Sequence, residues 1–169
     1  MCIRDRDYNA YNANLIGVGN RVKYRIRWYG ESLTQIDNPI LEKKIKKNLL
    51  GTKEYLNLSN FNLTQAAPEL PSDFTYPANH LYPYIIVRYR RTYLESADGL
   101  IRATIDRDLE YINLVNRRPT TSIQKDTGLI LEIKYGQDKT EAARLCTSML
   151  PYRLTKNSKY VSAMQCYLH

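Results

Sequence analysis

A chain of 169 residues with 43% apolar side chains can bury the core of one domain, which excludes a disordered or low-complexity class. Its 25 Lys and Arg against 17 Asp and Glu leave a formal charge of +8, favouring an anionic partner such as a nucleotide, polyphosphate, nucleic acid or anionic membrane. Cys2, Cys146 and Cys166 lack CxxC spacing, which excludes a disulfide framework or zinc knuckle and fits a reducing compartment. No apolar run of about 18 residues and no charged-then-apolar leader occurs, so neither a membrane span nor a secretory signal is expected, and the expected location is cytoplasmic.

The opening MCIRDR reads as a non-native leader, 1–6, set aside from the fold, with the domain proper over 7–169. A polar start rich in Asn and Tyr leads to VKYRIRWYG at 22–30, inside a strand expected over 20–29. There Lys23, Arg25, Arg27 and Tyr29 alternate with Val22, Tyr24, Ile26 and Trp28. In IDNPILEKKIKKN, 36–48, Ile40, Glu42, Lys44 and Lys46 share one face and Leu41, Lys43, Ile45 and Lys47 the other. Gly51 is expected to turn the chain into a hairpin partner at 52–58. Residues 62–80 hold three prolines and read as a short helix or turn plus a long loop.

A second β block follows. The run 81–96, rich in Tyr, Ile and Val, turns through ADGL at 97–100 into an antiparallel neighbour at 100–109. Residues 110–127 read as a polar, mobile connector and 128–136 as a further strand. A helix over 140–150 ends at Pro151, and Ser158 is placed to cap a last helix carrying Tyr160, Val161, Met164 and Tyr167. The elements describe an α+β protein whose strands keep ionic and apolar faces apart. The apolar faces need cover, which the helices can supply. The ionic faces then look either to water on an open sheet or toward one another in a closed barrel. A barrel interior of that kind could not be dry, because two cations about 4 Å apart repel by roughly 4 kcal/mol at an effective dielectric near 20. It would gain stability from a polyanion, and a lone carboxylate such as Glu132 would anchor a divalent metal there.

RIRWYG at 25–30, LEKK at 41–44, YRRTY at 89–93, LIRATID at 100–106, LEIKY at 131–135 and TKNSKY at 155–160 occur in this order. Together they resemble the catalytic domain of the vacuolar transporter chaperone family, a polyphosphate polymerase of the triphosphate tunnel metalloenzyme (CYTH-like) superfamily. The resemblance implies an antiparallel β-barrel tunnel with flanking helices, here incomplete at the N-terminus because the chain starts after the family's first strands. It makes Arg25, Arg27, Lys44, Arg91, Arg102 and Lys159 the catalytic cations. Lys53, Tyr89, Lys134 and Lys156 join them as nucleotide- and phosphate-binding residues, and Glu132 becomes the ligand of Mn²⁺ or Mg²⁺. The partners implied are ATP and polyphosphate, with no nucleic acid, no span in this chain and an unidentified membrane partner. The lack of a phosphate-sensing domain suits a bacterial member.

The implied reaction moves the ATP γ-phosphoryl group onto a growing polyphosphate chain, which asks the protein for positioning and charge neutralisation more than covalent chemistry. Two alternatives stand beside it. One is a tunnel-type inorganic triphosphatase, although no ExExK motif is present. The other is a basic, tyrosine-rich β module holding single-stranded nucleic acid. Taken singly, Glu132 and Lys134 also read as a structural ion pair, Lys43, Lys46 and Lys47 as a solvated charge run, and Tyr24 and Trp28 as packing residues.

Overall fold

A computed structural model describes residues 2–5, 9–47, 50–63, 81–115 and 118–167. Their order is β1 (Cys2–Asp5), α1 (Asn9–Leu15), β2 (Arg21–Arg27), β3 (Gln35–Ile36), β4 (Ile40–Lys47), β5 (Leu50–Asn57) and β6 (Phe61–Asn62). The chain continues through β7 (Leu81–Glu95), β8 (Ile101–Val115), β9 (Arg118–Asp126), β10 (Ile130–Tyr135), α2 (Thr140–Ser148) and α3 (Lys159–Gln165). The result is an α+β protein of mostly antiparallel sheet. The main sheet runs β10-β8-β7-β1-β2-β4-β5, with β9 also paired to β8, and β3 and β6 form a separate ribbon. Among the described residues no ladder joins β5 to β9 or β10.

The chain divides into two units, one of 1–87, 111–124 and 159–169, the other of 88–110 and 125–158. In the first, β2 and β4 pair from Arg21↔Lys46 to Arg27↔Ile40, and β4 pairs with β5 from Lys47↔Leu50 to Ile40↔Asn57. Alternation then sends Tyr24, Ile26 and Leu41 to one side, where they join Ile36, Leu63, Ile86, Ile112 and Leu114 in the core. Trp28, Leu33, Leu56, Leu58 and Phe61 pack around them. Tyr24 and Trp28 are thus packing residues, as expected. Among the described residues, the β3–β6 ribbon and its flanks supply part of the cover over this face. Helix α1 lies against β1, β2 and α3, and Tyr11 and Tyr160 make an edge-to-face pair 6.4 Å apart. Beyond α3 the Tyr167 hydroxyl lies 2.7 Å from the Tyr111 carbonyl and 3.1 Å from that of Ser122, tying the C-terminal segment to β8 and β9.

Several expectations need correction. Residues 110–127 are no loose connector: β8 runs on to Val115 and β9 pairs with it. The apolar Tyr111, Ile112 and Leu114 are buried and carry the strand onward despite polar neighbours. Gly51 lies inside β5 opposite Lys46 rather than in the turn. The polar start forms α1. Strand β1, Cys2–Asp5, pairs between β2 and β7. The loop expected at 62–80 falls, from 64 onward, outside the described residues.

In the second unit β10 pairs with β8 from Ile130↔Asp106 to Tyr135↔Ile101. Asp108 takes a left-handed φ of 54°, which an Asp tolerates better than most side chains. The inside–outside alternation of β8 breaks there, with Arg107 and Asp108 both exposed between buried Asp106 and Leu109. Helix α2 ends before Pro151, as expected.

Replacing Ile26, fully buried in the core, by Ala should lower stability by about 3 kcal/mol, within the range for buried Ile-to-Ala changes. A urea titration that leaves the midpoint of Ile26→Ala unmoved would contradict this core.

Candidate functional site

The other face of β2, β4 and β5 is ionic. Residues directly opposite on a ladder point to the same side. The register therefore places Arg21, Lys23, Arg25 and Arg27 of β2 with Glu42, Lys44 and Lys46 of β4 and Lys53 of β5. Among the described residues these three strands put seven cations and one carboxylate on that face. Four of the expected residues, Arg25, Arg27, Lys44 and Lys53, are brought together here.

Glu42 organises the group. It is 2% exposed, with Arg25 Nη2 2.8 Å from Oε1, Arg27 Nη1 3.9 Å from Oε2 and Lys53 Nζ 4.0 Å from Oε1. Burial pushes the Glu42 carboxyl up, but the Arg25 hydrogen bond and the charges of Arg25, Lys53 and Arg27 outweigh it, so the group sits below the usual carboxylate range. Arg25 remains 44% exposed. Arg27 also lies over the Tyr29 ring at 5.7 Å, and its buried Nε has no hydrogen-bond partner.

Lys23 lies well below its ordinary value. Burial and then the charges of Arg21 and Lys44 push its ammonium down to about 8; Cys2 acts the other way, and Lys46 adds a smaller downward push. Lys43 points to the opposite face and pairs with Glu54 at 3.0 Å. The presumed charge run thus splits by face, with Lys46 among the site cations.

The second unit presents its own ionic face. Arg102 lies opposite Lys134, Thr104 opposite Glu132 and Asp106 opposite Ile130. Arg91 joins this face through a two-pronged contact with the fully buried Asp106, Nε to Oδ1 at 2.6 Å and Nη2 to Oδ2 at 2.7 Å. Its guanidinium lies over the rings of Tyr89 at 5.1 Å and Tyr93 at 5.8 Å. The Asp106 hydrogen bond is the main cause holding its pKa above the ordinary arginine value. Five expected residues, Tyr89, Arg91, Arg102, Glu132 and Lys134, therefore share one face. Lys156 instead lies exposed on the loop before α3, and Lys159 opens α3.

Glu132 is 48% exposed and 3.5 Å from Lys134, the ion pair read from sequence as its structural alternative. Beside it the Thr104 hydroxyl oxygen is buried without a hydrogen-bond partner. Among the described residues no group of three His, Cys, Asp or Glu side chains forms a self-sufficient metal cage. One carboxylate with a neighbouring hydroxyl suits a hard ion of the Mg²⁺ or Mn²⁺ kind, which takes its remaining ligands from water and substrate phosphates.

Arg21, Lys23, Glu42, Lys46, Thr104 and Asp106 were absent from the residues expected at the site. The alternation in VKYRIR and LEKKIKK already put Lys23 with Arg25 and Lys46 with Lys44, so that signal was present. Nothing in the sequence announced that Glu42 and Asp106 would be the buried anchors.

Among known protein families, the VTC domain matches residues 5–168. No curated protein sequence matches the chain. No helix among the described residues is long and apolar enough to cross a membrane.

Because the Glu42 carboxyl is depressed in the folded state, its stabilisation is complete above the ordinary carboxylate range and is lost as pH falls through the lowered value. Glu42→Gln should cost roughly 3 kcal/mol at pH 7, the low end for a broken buried ion pair since Arg25 stays partly hydrated. It should also flatten the loss of stability in acid. Thermal melts of both proteins from pH 7 to pH 3 check this, and parallel curves would remove Glu42 from its anchoring role.

Proposed function

Because the chain belongs to the VTC domain family, we propose that it carries the ATP- and polyphosphate-binding machinery of a polyphosphate polymerase, using a divalent ion at Glu132. The observation that carries this reading is the face of β2, β4 and β5 on which, among the described residues, seven cations accompany one carboxylate, Glu42. A row of like charges on neighbouring strands destabilises a sheet unless an anion covers it. Phosphate oxygens are the matching ligand for arginine forks and lysine point charges. The enclosing barrel tunnel and the cytoplasmic location belong to the same proposal.

In the reaction the bond between the ATP γ-phosphorus and the β,γ-bridging oxygen breaks, and that oxygen leaves with its electron pair on ADP. A terminal oxygen of the acceptor chain forms the new bond to the same phosphorus. The acceptor oxygen is already ionised, so no general base is needed. Arg25, Arg27, Lys44 and Lys53 hold phosphate oxygens and offset their charge, and Arg91 and Arg102, with Lys156 and Lys159, serve the same end. Tyr89 packs on the Arg91 guanidinium and limits its freedom. Lys134 holds Glu132 until phosphates arrive. A Mg²⁺ or Mn²⁺ ion, held by Glu132 with Thr104 adjacent, would supply further charge neutralisation on those phosphates.

One observation favours a second reading. Tyr29 and Tyr93 are well exposed beside Arg27 and Arg91, the combination a single-stranded nucleic acid module would use. Incubating the protein with ATP and Mn²⁺ separates the readings: the proposal expects long-chain polyphosphate and ADP. Free phosphate without polymer would identify a triphosphatase, and oligonucleotide retention without turnover a binding module.

Glu132→Ala should lower metal-dependent turnover on the order of 100-fold with an unchanged circular dichroism spectrum. Full turnover would take Glu132 out of the reaction. Arg25→Ala combined with Arg27→Ala should weaken ATP binding roughly 100-fold and reduce its salt dependence. Affinity equal to that of the unaltered protein would mean that this face serves another purpose.

A further inference from the structure

The charge balance on the β2–β4–β5 face is uneven along the strands. Around Glu42 the cations Arg25, Arg27 and Lys53 share a carboxylate. Two residues along, Lys23, Lys44 and Lys53 stand opposite one another, and the next row sets Arg21 opposite Lys46. Among the described residues no carboxylate pairs with Arg21, Lys23 or Lys46; Arg21 donates instead to the Val18 carbonyl at 3.1 Å. Like charges directly opposite on a ladder are unfavourable. Here two such rows follow one another, and Lys23 is half-buried in the first.

We propose that Arg21, Lys23 and Lys46, continuing from Lys44, form a second anion subsite that holds inner phosphates of a polyphosphate chain, and that Lys23 takes up a proton as the chain binds. This rests on the polyphosphate reading above. Bare phosphate fits better than nucleic acid because these two rows carry Arg, Lys and Gly51 only, with no aromatic ring for a base to stack on. The nearest ring on that face of β5, Tyr55, stands opposite Glu42.

The proton follows from the surroundings of Lys23. The groups acting on it are Arg21 on its own strand, Lys44 and Lys46 on β4 and the Cys2 thiol on β1; burial and the three cations favour the neutral amine, so that it titrates at about 8. A chain of phosphates laid across the row reverses that field and favours the ammonium. Binding near pH 8 must then draw a proton from solution, and affinity must decline as pH rises past that value. The unaltered site is thus tuned to bind tightly below about pH 8 and to release above it.

The test is titration calorimetry with linear polyphosphate several tens of units long, whose inner phosphates are fully ionised throughout. Measured between pH 7 and pH 9, affinity should fall about tenfold for the unaltered protein, as expected for one linked proton. In Lys23→Arg, whose charge does not titrate, that fall should vanish, and at pH 8 proton uptake measured in buffers of different ionisation enthalpy should drop by about half a proton. Lys23→Met, checked for folding by circular dichroism, should bind more weakly at pH 7 and lose the same pH dependence. Parallel pH profiles for the unaltered protein and Lys23→Arg would overturn the proposal. If the linkage is found but ATP yields no polymer, the polymerase reading fails and the subsite stands. If polymer is made and the profiles run parallel, the subsite alone falls.

Discussion

The first ionic face depends on one buried carboxylate. Glu42 gives up hydration that only charged partners can offset, and the Arg25 contact at 2.8 Å is the nearest of them. Arg27 and Lys53 stand further off, which leaves them oriented by the carboxylate without being consumed by it. A guanidinium held in this way has lost part of its rotamer freedom before any ligand arrives, so less remains to be lost on binding. The core on the reverse side makes this possible: Ile26 and Leu41 fix the backbone that carries Arg25, Arg27 and Glu42 on the opposite face.

The second unit repeats the device with different residues. Asp106 is fully buried and holds Arg91 through both carboxylate oxygens, while the Tyr89 and Tyr93 rings limit the guanidinium further. The left-handed residue Asp108 lies just beyond, where β8 changes which side its residues face. A strand of uninterrupted alternation would put Asp106 and Leu109 on opposite faces; with the break at Arg107 and Asp108, both are buried.

How much of this could be read from the residues depended on periodicity. VKYRIRWYG and LEKKIKK alternate cleanly, and both the faces and the pairing of their strands follow from that pattern. The segment RPTTSIQKD has few apolar residues and carries Pro119 at its second position, so it resembled a connector although it pairs with β8. The seven-residue helix NAYNANL carries no apolar stripe for a helical period to reveal. Alternation also cannot say how deeply a charge is buried. Lys23 was visible on the cationic face, yet its depressed basicity arises first from burial and then from Arg21 and from the β4 cations that the register sets beside it, and depth is what alternation leaves out.

The two glutamates show why burial divides the chemistry between them. Glu42 is enclosed by three cations, so a divalent ion arriving there would have to displace Arg25 and add positive charge to a region already rich in it. Glu132 faces one cation, Lys134, at 3.5 Å and is about half hydrated, so exchanging that partner for a metal costs little. A phosphate ligand has the opposite preference. It gains most where arginine forks are already set, beside Glu42, and needs a bridging ion where a carboxylate stands exposed, beside Glu132.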